Sequence, residues 1–77
     1  MRIKIGSIVH LRAVEGASRR TKNRLREHGA LGFRIEDYSA GSWQFDGQPA
    51  ILLTSAKDTQ GEPWSGWLPL AEIDEIP

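Results

Sequence analysis

Gly61-Glu62-Pro63-Trp64-Ser65-Gly66-Trp67-Leu68-Pro69-Leu70-Ala71-Glu72-Ile73-Asp74-Glu75-Ile76 is the stretch on which the fold turns. From Trp64 to Leu68 the side chains are large and β-preferring. Pro69 has no N–H to give to a ladder, so it ends the strand or lies on its edge, and the strand is expected to stop at about Leu68. Beyond it, Leu70, Ile73 and Ile76 recur every third residue, with Glu72, Asp74 and Glu75 between them. That is the spacing of a tight 3₁₀ turn, which would lead into a tail strand. Trp64 and Trp67 fall on opposite faces of a regular strand, so only a bulge at Ser65-Gly66 could turn both inward.

Upstream, Ile3, Ile5, Val9, Leu11 and Ala13 share one parity and Lys4, His10 and Arg12 the other, which predicts a half-buried first strand with a bulge at Gly6-Ser7. Gly32–Tyr38 predicts a second strand with Phe33 and Ile35 inward. Ser42–Asp46 predicts a third, with Trp43 and Phe45 on one face. Asp46-Gly47 is a hairpin signal, since both residues tolerate positive φ. Ala50-Ile51-Leu52-Leu53-Thr54-Ser55-Ala56 reads as the most buried strand, and Lys57–Glu62 as a polar loop.

Between the first two strands, Ala17–His28 reads as a helix with Ser18 as N-cap and Gly29 as its stop. Ala17, Thr21, Leu25 and His28 share one face, and only Leu25 is large, so docking through Leu25 alone is expected. Arg20 and Arg24 share one exposed side, and Arg19, Lys22 and Arg26 the neighbouring one. The sum is a mostly β chain: a small five-stranded antiparallel barrel with one short helix inserted after the first strand.

At Gly66-Trp67-Leu68-Pro69 the chain resembles the end of SH3 domains, where Gly, an aromatic, an aliphatic and Pro lead into a short turn and a last strand, with Ile73 in the place of a buried aliphatic. The resemblance implies an SH3-like barrel. SH3 domains that bind proline-rich peptides line a groove with tyrosines. Here the first strand reads Ile8-Val9-His10-Leu11-Arg12, the turn position is Glu72, the sole tyrosine is Tyr38, and Trp43 lies farther upstream of Pro69 than the groove tryptophan would. The resemblance therefore implies the architecture without proline-peptide recognition.

Seventy-seven residues are expected to form a single domain with room for one surface site. The chain has no cysteine, hence no disulfide or thiolate zinc site, and begins Met-Arg-Ile-Lys without an apolar leader, so a cytoplasmic address is expected. No apolar run approaches the ~18 residues of a membrane span, and no membrane association is expected. No catalytic constellation, metal-ligand spacing or phosphate-cradling motif stands out: the serines lack a nucleophile-elbow context, and His10 and His28 lie on different elements. Neither an enzyme nor a cofactor is expected.

The net charge of zero conceals a division. Residues 1–34 carry nine Lys or Arg against Glu15 and Glu27, a net +7, and residues 35–77 carry Lys57 against eight acids, a net −7. Two binding readings follow. In the preferred one, a protein partner docks on an exposed patch of Trp43, Trp64, Trp67 and Pro69, because three tryptophans are many for so small a core. In the other, Arg19, Arg20, Lys22, Arg24 and Arg26 contact phosphates of DNA or RNA. Attraction between the basic and acidic halves would also allow a homodimer.

Overall fold

Two apolar stretches, Phe33-Arg34-Ile35 and Ala50-Ile51-Leu52-Leu53, build the centre of the molecule. The structure, a computed structural model, describes residues 2–56 and 63–77. The expected polar loop at 57–62, with Gly61 and Glu62 of the closing stretch, lies outside the described residues. In chain order the elements are β1 (Ile8–Val9), β2 (Leu11–Ala13), α1 (Arg19–His28), β3 (Phe33–Ser42), a 3₁₀ turn (Trp43–Phe45), β4 (Gln48–Ser55), β5 (Ser65–Pro69), a second 3₁₀ turn (Leu70–Glu72) and β6 (Ile73–Glu75).

Four strands form one antiparallel sheet in the order β1-β3-β4-β5, and β2 pairs with β6 in a second. The sheet is curled into a half-barrel, and its ladders do not close into a cylinder among the described residues. Its two edge strands run on into the second sheet: β1 continues through His10 into β2, and β5 continues through the second 3₁₀ turn into β6.

In register, Ile35 faces Leu53, and Ile51 faces Leu68. These four side chains and Phe33 are fully buried, with Val9, Leu11 and Ile73 completing the core. Each fully buried side chain of this size contributes about 1.5–3 kcal/mol relative to exposure. β4 is a central strand with Ala50, Ile51 and Leu53 fully buried, as its apolar run predicts.

The closing stretch forms as expected. Pro69 is the last residue of β5, an edge strand, and the 3₁₀ turn and tail strand follow at once.

Three expectations need correction. The first strand is not continuous. Ile5-Gly6 is a turn with Gly6 at φ 89°, which leaves Ile5 exposed, and His10 separates two short strands that belong to different sheets. Second, Ser42–Asp46 is not a strand. β3 extends to Ser42, and Trp43–Phe45 winds into a 3₁₀ turn whose N-cap is the Ser42 hydroxyl. Asp46 and Gly47 then take φ 55° and 80°, as their turn chemistry requires. Pro49 accounts for the irregularity alongside: it cannot donate, and the register shifts between Ser39/Ala50 and Ser42/Gln48, leaving Ala40-Gly41 unpaired as a bulge. Third, the helix does not dock by Leu25 alone. Thr21, at 1% exposure, is its most buried residue, Ala17 just before it is buried, and Leu25 packs only partly against the core.

Candidate functional site

The three tryptophans have different surroundings. Trp64 lies at the open end of the β3–β4 hairpin, joined to β4 by two hydrogen bonds: its N–H donates to Ser55 Oγ at 3.1 Å, and its carbonyl accepts the Ser55 N–H at 2.9 Å. Its ring stacks on His28, the last residue of α1, at 5.1 Å and 4°, and meets Phe33 edge-on at 6.0 Å. Gly66 is glycine for this ring, since a Cβ there would lie 2.6 Å from Trp64 Cζ2. Trp64 is thus half-buried and packed against the core.

Trp67 is also half-buried, and it pairs in register with Leu52 on the sheet face opposite Leu68. Pro69 is buried opposite Ala50. Trp43 is 87% exposed at the hairpin tip. That tip is held firmly: Ser42 Oγ accepts the Gln44 N–H at 3.3 Å, and the Ser42 carbonyl accepts the Gly47 N–H at 2.8 Å.

The four residues of the expected aromatic patch are therefore not gathered on one surface. Trp64 serves the helix–sheet junction, Pro69 lies inside, and Trp67 stands four residues of β4 from Gln48 at the tip, about 13 Å of strand. Only Trp43 presents most of its ring to solvent. Ile5, Ile8 and Leu31 are further exposed apolar side chains.

The basic helix departs from its expected layout at one position: Arg24 does not share an exposed side with Arg20. Arg19, Arg20, Lys22 and Arg26 are exposed and Arg24 is half-buried. Arg24 Nη1 lies 3.3 Å from Glu27 Oε2, and Arg26 Nη2 donates to Asn23 Oδ1 at 3.0 Å. Among the described residues no ion pair joins the helix to the acidic half of the chain. The two halves do meet elsewhere, at Arg12–Asp74 between β2 and β6, 3.1 Å apart.

The acid that reaches α1 is Glu72, and it binds the helix N-terminus, not its cations. Glu72 Oε1 accepts from the Ser18 N–H at 2.9 Å and from the Ser18 hydroxyl at 2.8 Å, while Ser18 Oγ caps the helix by accepting the Thr21 N–H at 3.3 Å. The first turn of α1 contains no acid, so this carboxylate supplies the negative charge that a helix N-terminus favours. Burial pushes the Glu72 carboxyl up, but the hydrogen bonds from Thr21 and Ser18 outweigh it and hold its pKa below the ordinary value. Neither this clamp nor the His28–Trp64 stack was read from the sequence. The signal for the clamp was an acid-free first turn beside an acidic closing turn.

Gly29 ends the helix for a reason other than handedness. Its φ is −90°, within the right-handed region, but a Cβ there would clash with the Leu25 carbonyl oxygen and lie 3.1 Å from the Phe33 ring.

Among the described residues, no three His, Cys, Asp or Glu side chains cluster as a metal site, and no helix is long and apolar enough to cross a membrane. No protein-family model, curated protein or solved structure matches the chain.

Proposed function

We propose that the chain is a small non-catalytic binding domain of SH3-like architecture that docks a protein partner through Trp43 at the tip of the β3–β4 hairpin. The architectural part is supported by the pairing of β2, before the inserted helix, with β6, which follows a proline-ended strand and a 3₁₀ turn. The recognition part rests on one observation: a tryptophan at 87% exposure on a tip held by a side-chain cap, a carbonyl bond and two positive-φ residues. A large rigid aromatic offers much apolar area at little cost in conformational entropy, which is why tryptophan is enriched among residues that dominate interfaces. Here the ring contributes little to the core, so stability does not explain its placement.

Arg12, Arg24 and Arg34 each have a carboxylate partner, in Asp74, Glu27 and Glu36, so these cations serve the fold.

The test is an affinity capture from lysate treated with nuclease, comparing the wild-type chain with Trp43→Ala at 0.1 and 0.5 M salt. The reading expects one discrete protein that is retained at both salt concentrations and lost with Trp43→Ala. Capture that is equal for both chains, or abolished by nuclease, would overturn it.

A further inference from the structure

The exposed face of α1 works against the helix that carries it. Arg19 and Arg20 stand in the first turn, where the helix dipole disfavours cations. Arg19–Lys22 and Lys22–Arg26 are like-charged pairs at i,i+3 and i,i+4, each unfavourable by roughly 0.2–0.5 kcal/mol. Over Arg19–His28 five cations stand against Glu27 alone, and that carboxylate lies beside Arg24 and His28. Among the described residues none of Arg19, Arg20, Lys22 and Arg26 has an ion-pair partner, and only Arg26, in the last turn and bonded to Asn23, has a place the helix favours.

We infer that this face binds the phosphate backbone of duplex DNA, separately from the protein site at the hairpin tip. The charge is complementary and the geometry fits. Arg19 to Arg26 spans about 10 Å of helix axis, about three phosphate steps at roughly 3.4 Å of duplex axis per strand. A duplex suits the face better than a single strand, because single-strand sites stack bases on aromatic side chains and the exposed positions of α1 hold none. Backbone contact without sequence preference is expected. Asn23, the amide on this face, already accepts from Arg26.

The test is fluorescence anisotropy of the full chain with a labelled duplex of about 20 base pairs of arbitrary sequence. Between 50 and 200 mM salt, three to four phosphate contacts predict an affinity falling roughly 40- to 150-fold. Arg19→Glu/Lys22→Glu/Arg26→Glu should weaken binding at least 30-fold at 50 mM salt. The neutral variant Arg19→Gln/Lys22→Gln/Arg26→Gln should weaken it less and flatten the salt dependence. A charge-matched control, Arg2→Glu/Lys4→Glu/Arg34→Glu, should change binding no more than about threefold, and far-UV circular dichroism verifies that each variant is folded. Absence of binding at 50 mM salt, equal losses in the control and helix variants, or tighter binding of a single strand would each overturn the inference. So would displacement of the duplex by polyglutamate at equal charge, which would make the site one for acidic proteins. Because Trp43 takes no part, failure here leaves the hairpin-tip reading standing, and the reverse holds.

Discussion

The two ends of the β3–β4 hairpin each carry a tryptophan, and the two are put to opposite uses. At the open end, Trp64 is joined to Ser55 through its backbone, stacked on His28 and set against Phe33. At the tip, Trp43 has a well-fixed backbone and a ring that faces water. The difference teaches that backbone order and side-chain burial are separate properties.

The comparison breaks first if the two rings contribute equally to stability. Trp64→Ala should cost about 2–4 kcal/mol, somewhat less than full burial would imply, and Trp43→Ala no more than about 0.5 kcal/mol. Urea unfolding of both variants measures the contrast, and similar midpoints would remove it.

The next largest effect isolates the ring. Gly66→Ala should cost about 1–3 kcal/mol by forcing Trp64 from its place, and most of that cost should vanish in a Trp64→Ala background. A double-mutant cycle with additive losses would show that Gly66 serves the strand and not the ring.

Loss of the helix cap is smaller. Ser18→Ala should cost about 1 kcal/mol, seen in thermal or urea unfolding. Its partner Glu72 supplies the pH dependence. Because the carboxyl is held below its ordinary pKa in the folded state, its stabilising contribution is fully present above the unfolded value of 4.5 and is lost as pH falls through the folded one. Glu72→Gln should therefore flatten the stability profile below about pH 4.5 and change it little in shape above. A variant profile parallel to wild type across that range would show that the Ser18 bonds do not hold the carboxylate.

The parts of the fold that were legible in the sequence depend on local chemistry. Pro69 ends its strand because it lacks a donor, Asp46-Gly47 turns because both residues accept positive φ, and Ser18 caps because its hydroxyl reaches a nearby N–H. What was misread depends on residues far apart. Alternation carried Trp43 and Phe45 into a strand, although they lie in the tip that joins Ser42 to its partner Gln48, where the backbone winds into a 3₁₀ turn instead. The same counting placed Ile5 inside, where a glycine turn leaves it exposed. The aromatic patch failed for a related reason. Trp64, Trp67 and Pro69 are close in sequence, but the pleat and a stacking histidine from another element send them to different surroundings. The cation stripe was the most legible surface feature, since helical spacing alone determines which of its members share a face.

The pairing of β2 with β6 brings Arg12 beside Asp74 across 62 positions of chain. Closing so wide a loop is slow, because its entropy must be given up before any contact forms. During synthesis Leu11 and Ala13 must wait, without their ladder, until Glu75 and Ile73 have been made. The half-barrel around β4 can assemble earlier, so the last event should be the arrival of the closing turn and ribbon, residues 70–75, in which Glu72 latches the helix cap and β6 pairs with β2. Deleting that segment should leave the hairpin largely formed and release α1.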